Sequence, residues 1–191
     1  MMLAVSVLNK QLRVLLFTDS LVLISAAMLA PFYALYVDKI GGDILDAGMA
    51  ASAFAVAAGV ASILSGKLAD LVRHKERIVA LSYLVTGVSF VAYIFVESMA
   101  QLLLVQVVIG LAQALYAPAY DALYSKHIRS KRRAGAAWAA WESLNYFALA
   151  IGTGAGALLI EYMGFKALFV AMASLCIISS LRLYILPRRF L

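Results

Sequence analysis

Three acidic side chains stand inside long apolar stretches of this sequence: Asp19, Asp121 and Glu142. Asp19 follows the start of the first stretch by five residues, about 8 Å along a helix, and Glu142 lies about 12 Å into the fifth. Because a charge inside a membrane is costly, such a carboxylate indicates a group that binds a proton or a cation. The alternative for Asp19 and Glu142 is an interfacial position that only shapes a gate. Asp121, close to Lys126, is expected to form a structural pair.

Uncharged polar side chains in the same stretches are candidates for lining a solute cavity. Gln106, Gln113 and Asn145 could hydrogen-bond a solute, although bonding between helices is the commoner use of such residues. Trp138 and Trp141 open the fifth stretch beside a basic loop. That position is typical of aromatic residues that anchor a helix at the membrane surface, so we favour anchoring over stacking against a substrate.

Prolines and glycines predict where the helices bend and approach one another. Pro31 and Pro118 each remove a backbone hydrogen bond and predict kinks in the first and fourth helices. Gly110, Gly152 and Gly156 predict close helix packing.

The sequence offers little chemistry beyond ion binding. It contains no Ser/His/Asp set, metal cluster or phosphate loop, so it predicts no enzyme and no cofactor other than a coupling proton or cation. The single Cys176 excludes a disulfide framework and a thiolate metal cage.

Composition determines the elements that position these residues. Of 191 residues, 65% are apolar or aromatic and 14% are charged, which excludes a water-soluble or disordered chain. Sparsely charged stretches long enough to cross a membrane cover residues 14–37, 47–66, 78–96, 98–125, 134–160 and 167–187. The sequence therefore predicts an all-α polytopic membrane protein with six transmembrane helices in a single domain, residues 1–191.

The basic residues predict the orientation of this bundle. Fourteen of the 16 lysines and arginines fall on one side of the predicted helices, which places both termini in the cytoplasm of a plasma or inner-membrane protein. The N-terminal apolar run passes directly into the first helix, which predicts that it is not cleaved. We interpret the basic loop at Lys131–Arg133 as a topology signal, so no nucleic acid is expected as a partner.

Two short segments recur in the same order. Ala30–Tyr36 (APFYALY) returns as Ala117–Tyr124 (APAYDALY), 87 residues later and with one inserted residue. Phe54–Gly59 (FAVAAG) returns as Phe147–Gly152 (FALAIG), 93 residues later. These matches predict two three-helix units, at about 12–96 and 98–187. Since three is odd, the second unit is inverted, a construction that recurs in transporters.

The connection after the second helix suggests a gate. It reads GKLAD from Gly66 to Asp70, and basic residues follow at Arg73, Lys75 and Arg77. A glycine lets another backbone approach closely, and a nearby carboxylate can cap a neighbouring helix N-terminus. Together these residues form a candidate cytoplasmic gating loop.

This loop resembles the signature of the major facilitator superfamily, roughly G-x-x-x-D-[RK]-x-G-[RK]-[RK]. The chain departs from it at Leu71, where a basic residue is usual, and at Arg73, where glycine is usual. Gly110 and Pro118 have spacing similar to the family's fourth helix, with Gln106 where many members have arginine. The fifth helix lacks the Gly-Pro pair typical of antiporters. The resemblance covers the whole chain but only half of the family's twelve helices, so the chain looks like an N-terminal six-helix half.

The resemblance implies a secondary transporter that moves an unidentified small solute by alternating access, in contact with the lipid bilayer. A homodimer or a complementary six-helix half would supply the missing helices. Two alternatives remain at this point. One is a six-helix substrate-binding subunit of an ATP-driven uptake system, and the other is a membrane interaction protein without transport.

Overall fold

The computed structural model describes residues 9–128 and 134–186, except for the side chains of residues 68–70. The described part of the chain contains five helices long and apolar enough to cross a membrane. Their bounds are Lys10–Lys39 (span 1), Ile44–Leu71 (span 2), Lys75–Tyr93 (span 3), Met99–Lys126 (span 4) and Ala134–Ile185. The prediction of an all-helical membrane protein is confirmed.

The last helix is two membrane passes joined at one residue. With 52 residues, Ala134–Ile185 would be about 78 Å long if straight, more than twice the thickness of a bilayer core. Gly164 interrupts it with φ 79° and ψ 175°, a backbone conformation that L side chains rarely adopt. We name residues 134–163 span 5 and residues 165–185 span 6.

Contacts with span 1 give the directions of these two segments. Along span 5, Gly152 approaches Ile24 and Gly156 approaches Met28, so the two helices run parallel. Span 6 runs the opposite way along the same helix. The Cys176 sulfur lies 3.1 Å from the Ser25 hydroxyl, and Ser179 donates to the Thr18 carbonyl at 2.5 Å. In the described residues the chain therefore folds back at Gly164, and Ala134–Ile185 covers both the fifth and the sixth predicted stretches.

Span 1 begins earlier than the sequence indicates. Asn9 caps it by accepting a hydrogen bond from the Leu12 N–H at 2.9 Å, and the Asn9 amide donates to the His127 carbonyl at 2.8 Å. The helix starts at Lys10, so Asp19 lies about 14 Å along it rather than about 8 Å.

The two prolines behave differently. Around Pro31, α-helical geometry gives way to a 3-10 turn at Ala30–Phe32, after which the helix resumes at Tyr33. Pro118 lies inside the continuous helix of span 4.

The packing of the spans has a regular pattern. Span 1 packs against spans 5 and 6, and span 4 packs against spans 2 and 3. Ser65 of span 2 donates to the Ala114 carbonyl of span 4 at 2.6 Å. Spans 3 and 6 also meet, where Ser180 donates to the Ala80 carbonyl at 2.6 Å. An inverted repeat requires this pattern, because it exchanges span 1 with span 4, span 2 with span 5 and span 3 with span 6.

Two aromatic and aliphatic clusters form the core. We call the end of the bundle that carries Lys10, Arg73 and Lys126 the basic side, and the opposite end the acidic side. Near the acidic side, Tyr36 packs edge-on against Phe169 and donates to the Tyr93 carbonyl at 2.9 Å. The second cluster lies toward the basic side and surrounds Asp19.

The connection between spans 2 and 3 is shorter than expected. Span 2 continues to Leu71, so Gly66 and Asp70 lie on the helix and only residues 72–74 connect it to span 3. A single glycine costs a helix about 1 kcal/mol, which is too little by itself to end a helix of 28 residues.

Candidate functional site

Asp19 is the centre of the site. Its side chain is 1% exposed and faces spans 3, 4 and 5 from span 1. Oδ1 accepts hydrogen bonds from the hydroxyls of Tyr83 at 2.9 Å and Tyr116 at 2.6 Å. Oδ2 accepts one from the indole N–H of Trp141 at 2.8 Å. One carboxyl group thus joins four spans.

All three of these donors are neutral. An ionised carboxylate accepts hydrogen bonds only, and burial without partners would cost it several kcal/mol. Hydrogen bonds to a charged group are worth about 1.5–3 kcal/mol each, so the three donors offset much of that cost. The carboxyl is thus enclosed inside the bundle by uncharged groups, and the hydrogen bonds described for it come from two tyrosines and a tryptophan rather than from a basic loop residue.

Six aromatic rings form a continuous series whose first and last members, Tyr83 and Trp141, bind this carboxyl, and we call them the aromatic wall. Consecutive ring centroids lie 5.0–5.8 Å apart across spans 3, 4 and 5. In order of contact the members are Tyr83, Tyr116, Tyr120, Tyr124, Trp138 and Trp141.

One hydroxyl in the wall lacks a well-formed hydrogen bond. Tyr124 donates to the Ala137 carbonyl at 2.6 Å, whereas the buried Tyr120 hydroxyl makes no hydrogen bond within residues 9–128 and 134–186. A buried polar group without a partner costs about 1–3 kcal/mol. The Tyr120 hydroxyl nevertheless lies close to the Asp19 carboxyl, so it is not free for another partner.

The uncharged polar candidates occupy different places. Gln106 is buried and donates to the Tyr33 hydroxyl at 2.6 Å. This hydrogen bond lies closer to the acidic side of the bundle than Asp19 does. Asn145 is half-buried and donates to the carbonyl of Trp141 at 3.1 Å, on its own helix. Gln113 is exposed on span 4. Neither the Gln106 amide nor the Asn145 amide hydrogen-bonds to the Asp19 carboxyl.

Glu142 and Asp121 are exposed on the surface of the bundle. Glu142 follows Trp141 directly, and Asp121 follows Tyr120 directly, so each carboxylate neighbours a ring of the aromatic wall along the chain. Both stand about 8–12 Å from the basic-side end of their helix. Asp19, Asp121 and Glu142 thus lie at similar depths in the bundle.

The glycines mark three close helix contacts. A Cβ on Gly110 would lie 2.5 Å from the Phe54 carbonyl oxygen, and one on Gly152 would lie 2.5 Å from that of Ile24. A Cβ on Gly156 would overlap the Met28 backbone.

The gating-loop candidates lie away from Asp19. Arg73 and Arg77 are exposed, the Lys75 ammonium donates to the Val72 carbonyl at 3.2 Å, and Gly66 has open space around it. The side chain of Asp70 lies outside the described residues.

Sequence reasoning found the carboxylate but missed its partners. Tyr83, Tyr116 and Trp141 carry no motif, although Tyr116, Tyr120 and Tyr124 recur at the four-residue spacing of one helix face. The indole N–H of Trp141 donates to Asp19, a contact that the anchoring interpretation did not include.

Six helical spans around a buried carboxylate define an integral membrane protein built as a compact helix bundle. The model of the Major Facilitator Superfamily matches residues 15–190, and the chain belongs to that family.

Relatives agree with this assignment. The chain is 28% identical over 177 residues to an uncharacterized MFS-type transporter of Methanocaldococcus jannaschii, covering 93% of this chain and 45% of that protein. It is 28% identical over 190 residues to the multidrug resistance protein MdtG of Dickeya zeae, with coverage of 97% and 46%. The MdtG of Salmonella typhimurium is 25% identical over 181 residues, with coverage of 92% and 44%. The chain therefore spans about half the length of these relatives.

Proposed function

We propose that this chain is a half-length secondary transporter that moves a small solute by alternating access. Membership of the superfamily and the bundle of membrane-length helices support transport as the general activity. The contact pattern and the two recurring segments support an inverted repeat of units at about 12–96 and 98–187.

The three hydrogen bonds to Asp19 are the main support for the proposal. One carboxyl holds spans 3, 4 and 5 to span 1, so a change in its charge alters three interhelical hydrogen bonds together. A proton or cation bound there is thereby coupled to helix movement, which is what a secondary transporter requires.

The second half of the transporter comes from a homodimer or from a complementary six-helix half. Polar residues do not stably face lipid, yet Gln113, Asp121 and Glu142 are exposed on spans 4 and 5. A second bundle, with a water-filled path between the two, would cover this surface. Gly66, Asp70, Arg73, Lys75 and Arg77 would then act as the gate on the cytoplasmic side.

A resistance assay tests the proposal, since some relatives are named for multidrug resistance. The chain is expressed in a bacterial host that lacks its major exporters, and growth is measured against a panel of toxic compounds at several external pH values. We expect protection against at least one compound, lost in Asp19→Asn and retained in the control Asp38→Asn, whose exposed carboxylate lies at the opposite end of span 1. A non-transporting interaction protein would give no protection with either variant.

A further inference from the structure

We propose that the surface shared by spans 1 and 6 near the basic side binds an anionic phospholipid, whose phosphate group is held by Arg182. This inference goes beyond the proposed transport function and does not depend on it. It rests on the contact between Arg182 and Phe17, on the charge of Arg182 and on the apolar surface around it.

Arg182 is a charged residue on an apolar helix face. Ile178 and Ile185 lie on the same side of span 6, four and three residues away, and both are exposed. Arg182 is also exposed, and it lies three residues, about 4.5 Å, from the basic-side end of the helix. Because a charge inside a bilayer is costly, a guanidinium at this depth is stabilised by a counter-charge among the lipid headgroups.

An aromatic ring of span 1 holds this guanidinium in place. The central guanidinium carbon of Arg182 lies 4.4 Å from the centroid of the Phe17 ring. Phe17 is 46% exposed, so the ring and the cation form one surface across the two spans. A cation–π contact attracts the guanidinium but brings no negative charge to it. Phe17 therefore positions Arg182 and leaves its charge uncompensated.

The protein supplies no acidic partner for Arg182 within residues 9–128 and 134–186, where no carboxylate forms an ion pair with it. The nearest acidic residue along the chain is Glu161, which lies near the acidic side. Guanidinium groups bind phosphate through two parallel N–H···O hydrogen bonds, and lipid phosphate is the anion present at the depth of Arg182. The acyl chains of the same lipid would cover the exposed apolar residues of span 6.

Span 1 adds positive charge to this surface. Lys10 and Arg13 are exposed and precede Phe17 by seven and four residues, which places the three side chains along one side of the helix. Basic residues next to a membrane attract anionic lipids. The surface therefore favours an anionic lipid over a zwitterionic one, whose phosphate is balanced by its own ammonium group.

Native mass spectrometry of the full-length chain in mild detergent tests this binding. The chain is titrated with phosphatidylglycerol and, separately, with phosphatidylcholine that has the same acyl chains. We expect one preferred phosphatidylglycerol per chain, bound roughly fivefold more tightly than phosphatidylcholine. Equal affinity for the two lipids would overturn the proposal.

Thermal unfolding distinguishes the lipid from a free anion. A ligand that binds the folded protein raises its Tm, so phosphatidylglycerol should raise the Tm while inorganic phosphate alone should not. Equal stabilisation by inorganic phosphate would show that the surface takes a free anion, and would also overturn the proposal.

Variants locate the lipid on this surface. Arg182→Gln should weaken phosphatidylglycerol binding by roughly fivefold, and Arg182→Lys, which keeps the charge but loses the paired hydrogen bonds, by roughly two- to threefold. Phe17→Leu keeps an apolar side chain and removes the cation–π contact, so it should weaken binding by roughly two- to fivefold. The control Arg77→Gln removes an exposed charge at the start of span 3 and should bind like the wild type.

Wild-type affinity in Arg182→Gln would contradict the proposed site. Equal losses in Arg182→Gln and Arg77→Gln would contradict it as well, because the lipid would then respond only to net charge. Neither outcome bears on the resistance assay, so the proposed transport function is tested separately.

Discussion

At the scale of single residues, the strongest feature is a carboxyl shared by donors from three other helices. Tyr83 and Tyr116 can rotate their hydroxyls toward other acceptors, but the Trp141 indole can only donate. Trp141 is therefore the partner most strictly matched to an ionised Asp19. Its neighbour Ser143, by contrast, is exposed and donates to the Ala139 carbonyl of its own helix.

We predict that Trp141→Phe destabilises the bundle by about 1.5–3 kcal/mol, because the ring is largely kept while a hydrogen bond to a charged group is lost. For a chain of this size that corresponds to a fall in Tm of roughly 3–12 °C. Thermal unfolding in detergent measures the shift, with Ser143→Ala as the neutral control. Equal Tm values for the two variants would show that the indole N–H contributes nothing.

At the scale of helices, glycine determines how closely spans 1 and 5 approach. Gly156 lies against the Met28 backbone, whereas Gly154 faces open space two residues away on the same helix. Alanine substitutions at these two positions therefore separate the effect of close packing from the intrinsic helix preference of alanine.

We expect Gly156→Ala to destabilise the protein by about 2 kcal/mol or more, since backbone cannot move aside as a flexible side chain can. Gly154→Ala should be neutral or stabilising by up to about 1 kcal/mol, because alanine is the better helix former. Unfolding of both variants under the same conditions measures the difference. A loss of stability in Gly154→Ala of the same size would contradict the packing argument.

The orientation of the helices can be tested with introduced cysteines. Cys176 is buried, so it should give little background labelling. We predict that Asp38→Cys and Glu97→Cys, both exposed near the acidic side, react with a membrane-impermeant maleimide in intact cells. Arg73→Cys, exposed on the basic side, should react only after the membrane is opened. The reverse pattern would invert the proposed topology.

At the scale of the whole molecule, the exposed faces of spans 2 and 5 matter most. Span 2 buries little of its surface, and large apolar residues are exposed along it, including Val56, Val60 and Ile63. Span 5 adds Phe147 and Ile151. Lipid can cover such faces, but it does not suit the carboxylates beside them.

We therefore predict that the chain self-associates unless a complementary half is present. Native mass spectrometry in nanodiscs should reveal a dimer of two 20.6 kDa chains. The double variant Asp121→Asn/Glu142→Gln should shift the population, since it changes the polar surface between the bundles. A strictly monomeric particle that still transports would contradict the dimer.

The sequence predicts some levels of this structure better than others. Charges such as Arg13, Lys67 and Glu97 delimit the apolar stretches, so the number and rough extent of the spans follow from the cost of burying charge. The rotation of each helix does not follow, because a helix that is apolar on all sides has no distinct inner face. For this reason Asp19 was recognisable, whereas the inward position of Trp141 was not. Helix ends also differed, since Gly66 does not end span 2.

The join at Gly164 has a mechanical consequence. Within Ala134–Ile185 only Gly164 has non-helical geometry, so spans 5 and 6 meet without an intervening loop. Both bind span 1 at the same depth, because Trp141 of span 5 donates to Asp19 and Ser179 of span 6 donates to the carbonyl of the preceding residue, Thr18. A displacement of the indole from Asp19 and a shift of span 6 would therefore act on the same turn of span 1.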